Sequence, residues 1–198
     1  LPTNDVPQAV DEYVRKHNLY TQYRAMADKL RPYLTEKRFM HTFHVVKRGL
    51  ELCTAEEYDK VFVTCLLHDC AKYLSPDRYA DYGFVRPCDM PDSVVHAFLG
   101  ALVAEKDFGV TDNEILNAIR YHCTARPNMT RLDKIVYVAD KTEETRPYPL
   151  SHLLCGTLDE MFVKCLFEAN RYCLTNHAGN VYYLTSQALD FYKNQANA

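Results

Sequence analysis

Only 6 of the 198 residues are glycine, against about 7% in an average protein. Glycine is the residue that adopts positive φ at no steric cost. A chain this poor in it has few places for tight turns, so architectures of many short strands are excluded. Long helices with short joints are expected. The spacing of apolar residues agrees. Phe39, Phe43, Val46 and Leu50 recur at helical intervals, as do Val61, Phe62, Cys65, Leu66 and Cys70. Helices are predicted over 7–20, 21–34, from Thr35 onward, 55–74, 92–108, 113–123, 131–144 and 158–175. Residues 75–90 hold Pro76, Gly83 and Pro87 and read as a long irregular connection. Residues 176–186 read as a loop before a last helical turn at 187–193. No repeats and no strand-like alternation occur. The fold class is all-α, and the length suits one domain.

Composition narrows the function classes. Hydrophobic residues make up 47% and charged residues 25%, a globular balance that excludes disorder. Lys and Arg number 23 against 26 Asp and Glu, a net charge of -3. This lacks the global basic footprint of a nucleic-acid binder. No apolar run approaches the roughly 18 residues of a membrane span. The opening LPTNDVPQAV has neither the basic nor the apolar region of a signal peptide. It also lacks an initiator Met, so the chain reads as a fragment or a processed product. The eight cysteines form no CxxC and mostly sit in apolar helical patterns. There a free thiol behaves as a small hydrophobe, which points to a reduced, cytoplasmic protein.

The histidines carry the chemistry. His68-Asp69 ends the apolar stretch VFVTCLLHD, and Asp140 follows the apolar run IVYVA. His41, His96 and His122 lie on apolar faces of other predicted helices. One such histidine is usually a satisfied core residue, and an isolated HD pair usually bonds to nearby backbone. Four histidines and two aspartates on the apolar faces of successive helices are harder to bury without a cation. Imidazole plus carboxylate donors suit Fe, Mn or Zn, and no cysteine stands at ligand spacing.

The order H…HD…D, here His41, His68-Asp69 and Asp140, resembles the HD-domain metal-dependent phosphohydrolases. The chain is most similar to their YqeK family. The resemblance runs from about Arg24 to Tyr192. It is carried by RFMH at 38–41, LLHDCAKYL at 66–74, His96 with Gly100, AIRYHCTARPNM at 118–129 and LDKIVYVADKTEETR at 132–146. It implies an all-α HD bundle with a metal site at its centre, spanning 21–198. It also implies iron as cofactor, one or two ions, with Mn or another divalent metal as the alternative. His41, His68, Asp69 and Asp140 would hold one ion; His96 and His122 would hold a second, with Asp69 as the bridge. The implied reaction is symmetrical hydrolysis of diadenosine tetraphosphate to two ADP. Asp69, Lys72 and Asp140 are the expected catalytic residues. Arg38, Lys72, His96, His122, Cys123 and Arg146 are expected to contact substrate. Lys72, Arg38 and Arg146 have a plainer alternative as solvated surface charges. The family's Thr and Gly after the AIRYH histidine are replaced around Cys123 and Ala125. Its IEP becomes the stretch from Thr142 to Thr145. His44 is not a family ligand and reads as a surface or supporting residue.

A second resemblance covers about 15 residues. VPQAVDEYVRKHNLY is similar to the closing segment of bacterial nicotinate-nucleotide adenylyltransferases. Residues 1–20 would then be the remnant of an upstream domain in a bifunctional polypeptide; the plainer alternative is a chance amphipathic helix. Rival functions are another HD nucleotide phosphohydrolase or phosphodiesterase, and a nucleotide-sensing module without turnover. Expected partners are the nucleotide and its ADP product, with neither membrane nor nucleic acid; the reading admits a homodimer.

Overall fold

The computed structural model describes residues 21–176 and 181–196. The helix expected over 7–20 lies outside them. The described residues form α-helices and short 3-10 turns, with no strand among them. The helices are α1 (Thr21–Leu30), α2 (Glu36–Leu52), α3 (Tyr58–Leu67), α4 (Asp92–Phe108), α5 (Asn113–Tyr121), α6 (Arg131–Thr142), α7 (Leu158–Asn176) and α8 (Tyr183–Ala196). None is long and apolar enough to cross a membrane.

Local chemistry sets the ends. The Thr35 side chain accepts from Arg38 N at the start of α2, and Asp112 accepts from Glu114 N at the start of α5. Thr130 and Asp133 form a reciprocal capping box at α6. Gly109, at φ 71, closes α4 in the left-handed region that favours glycine. Several expected boundaries differ. The helix predicted over 21–34 ends at Leu30 and is followed by a 3-10 turn, Arg31–Tyr33. The helix predicted over 55–74 is continuous only to Leu67, and residues 68–73 turn away from it. The last helix begins at Tyr183 rather than near 187. Its start is anchored by the buried Tyr182, which packs with Met90, Val94 and Val95.

Helix α6 is the axis of the bundle and packs against α2, α3, α5 and α7. That explains its apolar run: Ile135, Val136, Tyr137, Val138 and Ala139 are all fully buried. One core lies between α6 and α1–α5. A second, on the other side, joins α6 to α7 and α8 through Tyr137, Phe162 and Tyr192, stacked edge to face. The connection at 75–90 contains a 3-10 stretch, Pro76–Tyr82. Tyr82 Oη donates to Asp107 at 2.6 Å and ties it to α4.

Helices α2 and α3 cross closely at Gly49. A Cβ there would lie 2.7 Å from Cys65 Sγ and 2.9 Å from Val61 Cγ1, and both neighbours are fully buried. Overpacking costs about 1–3 kcal/mol, against a helix-propensity gain of about 1 kcal/mol at most. Gly49→Ala is therefore expected to lower stability by about 1 kcal/mol. Urea unfolding measures this; an unchanged or raised midpoint would contradict the close approach.

Candidate metal centre

The six proposed ligands come from five helices and meet in the middle of the bundle. His41, His68, Asp69, His96, His122 and Asp140 are all buried. Two of the histidines use the same local device. His68 follows the last residue of α3, and His122 the last residue of α5. Each points its Nδ1 at the carbonyl three residues back, Cys65 O or Ile119 O, at 2.7 Å. Donation there leaves Nε2 facing the centre in the form that binds a metal. Asp69 is next in the turn after α3, where Lys72 N donates back to Asp69 O. His41 lies within α2, its Nε2 3.3 Å from Asp140 Oδ1 and its Nδ1 3.2 Å from Glu143 Oε1. His96, on α4, brings Nε2 to 3.0 Å from Asp69 Oδ1.

The donors form three overlapping groups, each with ligand atoms within 4.8 Å of one another: His41, His68 and Asp140; His68, Asp69 and His122; His96, His122 and Cys123. Asp69 is the common member in space. Its Oδ1 is 3.7 Å from His122 Nε2, and its Oδ2 is 3.5 Å from His68 Nε2. The structure thus brings together every residue of the expected set, and it adds Cys123. The expectation that no cysteine stands at ligand spacing is corrected here. Sequence spacing hides this, because the turn after α5 is what carries the sulfur to the imidazoles.

Three buried atoms test whether a cation fits. His41 Nε2, His68 Nε2 and Asp69 Oδ1 lie close to other polar atoms of the cluster, yet none of the three makes a hydrogen bond of good geometry. Leaving such atoms unpaired costs about 1–3 kcal/mol each. His68 is grouped with His41 on one side and with Asp69 on the other, and all three are of the types that ligate divalent metals. The residues present therefore fit a metal centre.

The electrostatics are those of a charged nest. Burial pushes His68 down to about 4, against the pull of Asp69 and Asp140, so it is a neutral donor. Burial alone would raise Asp69, but His68, His122 and His96 hold it well below the usual carboxylate range. Burial opposes the ionised form of Asp140 too, and Lys141, His41 and Arg146 outweigh it.

A basic rim surrounds the nest. Arg38 Nη1 bonds Asp69 Oδ2 at 3.0 Å, and Arg146 Nη2 bonds Asp140 Oδ1 at 2.5 Å. Lys72 Nζ lies 3.1 Å from His96 Nε2 and 3.9 Å from Asp69 Oδ1. The three cations expected from sequence all face the site; none is merely a surface charge. The helix ends at Leu67, so it is the turn from Asp69 that places Lys72. The rim opens into a cleft of about 1200 Å³, lined further out by Tyr148, His152, Arg171, Tyr172 and Tyr182. His44 stays at the surface, its Nδ1 2.9 Å from Glu144 Oε1. His17 and His177 lie outside the described residues.

Two residues were not read from the sequence. Lys141 bonds Asp140 Oδ2 at 2.9 Å and sits over the Tyr137 ring. Glu143 is buried, faces His41 and also accepts from Thr145 N at 2.7 Å. It holds the His41 ring as carboxylates do behind metal-binding histidines. The available signal was its place three residues beyond Asp140. Glu143→Gln is expected to keep the fold and weaken metal binding about 10–100-fold, read by competition with a chelator. Unchanged affinity would reduce Glu143 to a loop anchor. Ala125, standing near the family's glycine position, takes φ 59. That departure concerns backbone strain, and the side chain points into the second core.

Comparison with known proteins follows the same outline. The HD domain family model matches residues 38–145. A symmetrical bis(5'-nucleosyl)-tetraphosphatase of Halalkalibacterium halodurans is 32% identical over 61% of this chain and 68% of its own length. That of Bacillus subtilis is 35% identical over 59% of this chain and 66% of its own length. The chain thus spans about two-thirds of these relatives. It spans less, 40%, of a probable nicotinate-nucleotide adenylyltransferase/Ap4A hydrolase of Mycoplasma genitalium, at 33% identity over 71% of this chain. The crystal structure of a predicted HD superfamily hydrolase involved in NAD metabolism from Clostridium acetobutylicum superposes with a TM-score of 0.79. It is 26% identical and covers 87% of this chain and 97% of that one.

Proposed function

Since the chain belongs to the HD domain family, we propose that it is a hydrolase cleaving diadenosine tetraphosphate symmetrically into two ADP. The observation that carries this reading is the pairing of two donor groups across Asp69 beneath a rim of Arg38, Lys72, Lys141 and Arg146. The names of the Halalkalibacterium and Bacillus relatives support the substrate. His41, His68 and Asp140 would hold one cation, His96 and His122 would hold another, and Asp69 would serve both. Iron is the proposed metal. Such cations supply a nucleophile from water at neutral pH and polarise a phosphoryl oxygen.

The chain's own residues do the rest. The substrate carries a dense row of negative charge, which needs neutralising as the central bond breaks. Arg38 and Arg146 are each held by a buried carboxylate, so their free N–H groups are aimed outward at fixed angles. Lys72 approaches over His96 and supplies a point charge for a phosphate next to the cation. Water adds to one of the two inner phosphorus atoms and gives up its proton to solvent, the bond from that phosphorus to the central bridging oxygen breaks, and one ADP departs as an anion while the other keeps the water oxygen. The cleft of about 1200 Å³ leaves room for nucleoside ends beyond the rim. The Mycoplasma relative's two-part name supports a native polypeptide in which an adenylyltransferase is joined to this domain.

The test is metal analysis of the purified chain, then incubation with diadenosine tetraphosphate, diadenosine triphosphate, nucleoside triphosphates and cyclic dinucleotides, with products separated by chromatography. Two ADP per tetraphosphate is the expected result. ATP plus AMP, or preference for a cyclic dinucleotide, overturns the substrate. Metal and tightly held ADP without turnover of any compound would make the domain a sensor instead. His96→Ala and His122→Ala are each expected to lose one ion and keep the other, with turnover falling sharply. Loss of all metal in either variant would mean one shared site.

A further inference from the structure

We propose that Cys123 is a metal ligand, its thiolate joining His96 and His122 to make a two-nitrogen, one-sulfur donor set on the α4–α5 side of Asp69. This rests on the reading of His96 and His122 as ligands, and it gives Cys123 a different role from substrate contact.

The geometry is that of donors around one ion. Cys123 Sγ is 3.2 Å from His122 Nε2 and 3.3 Å from His96 Nε2. Zinc–nitrogen and zinc–sulfur bonds of about 2.0–2.1 and 2.3 Å put neighbouring donor atoms about 3.0–3.7 Å apart. The sulfur is on the metal-facing side of the ring, because His122 Nδ1 is committed to Ile119 O at 2.7 Å. His96 is reached from another helix, so two independent elements converge on the sulfur. Other cysteines are used differently. Cys65 and Cys165 are buried in the two apolar cores, and Cys70 donates to Gly100 O at 3.3 Å.

A thiolate changes what the centre selects. Soft sulfur favours zinc, cobalt or ferrous iron, whereas manganese prefers carboxylate, carbonyl and water oxygens. The His41, His68 and Asp140 side has no sulfur, so the two ions sit in unlike surroundings. The Cys123 position should take zinc or iron in preference to manganese. The thiol proton goes to solvent as the ion binds.

X-ray absorption on the zinc-loaded full chain tests this. The expected result is a sulfur shell at about 2.3 Å beside nitrogen and oxygen at about 2.0–2.1 Å. Cobalt loading should give a sulfur-to-cobalt charge-transfer band in the near ultraviolet. Cys123→Ser should lose both signals while its circular dichroism stays that of the parent. A sulfur shell that persists in Cys123→Ser overturns the assignment, since another cysteine then supplies it. Two bound ions with nitrogen and oxygen shells alone overturn it too, and leave His96 and His122 as ligands. A single bound ion whose spectrum is unchanged in His96→Ala overturns both readings. The parent spectrum decides the matter even if the variant fails to fold.

Discussion

Asp69→Ala is expected to abolish turnover and to strip the protein of nearly all its metal. Asp69 is the carboxylate that faces both donor groups, 3.0 Å from His96 Nε2 and 3.5 Å from His68 Nε2. Without it the four central imidazoles have no shared anion, and any cation meets them at the full cost of burial. Arg38 loses its anchor as well. Losing charge stabilisation of several kcal/mol slows the reaction by about a thousand-fold or more. Elemental analysis after dialysis, with a hydrolysis assay on diadenosine tetraphosphate, checks both parts. Asp69→Asn keeps the shape and guards against a folding artefact. Stoichiometric metal in either variant would remove Asp69 from the bridging position.

Lys72→Ala should leave the metal content unchanged and cut catalytic efficiency by at least about ten-fold. An ammonium is a poor ligand and a good counter-charge for a phosphate. Its Nζ lies 3.1 Å from His96 Nε2, so a phosphate beside the cation would sit within its reach. A hydrogen bond to a charged group is worth about 1.5–3 kcal/mol, which sets the size of the effect. Either KM rises or kcat falls, according to whether the contact forms in the bound complex or only in the transition state. Kinetics equal to the parent would show that Lys72 serves only to hold Asp69 and His96 in place. The phosphoryl reading would then rest on Arg38, Lys141 and Arg146 alone.

Much of the centre was legible because buried polar residues violate an apolar pattern. His41, His96 and Asp140 stand out where their helices should be greasy. His68 and His122 stand out where such a helix runs out. Helix ends were legible where a side chain makes them, as at Thr35, Asp112 and Thr130. The end of α3 was not, since CLLHDCAKYL keeps a helical pattern through a stretch that turns. Its apolar residues after Leu67 are buried by the bundle rather than by one helix face. Lys141 and Glu143 were missed for a related reason. Charged residues next to a helix end normally face water. Only the fold shows that His41 and Tyr137 lie against them. Cys123 was expected to contact substrate, and its place beside two imidazoles emerged only where two helices converge on it.

The donors are strung along the chain from His41 to Asp140, with Glu143 and Arg146 bracing the far end. A growing chain therefore lacks the group of His41, His68 and Asp140 until Asp140 itself has been made. The donor groups together draw on five helices, so they are complete only once the bundle has closed. Anything that binds only the assembled bundle also adds to its stability. Supplying the ion would therefore raise the stability of the assembled bundle as well as its activity.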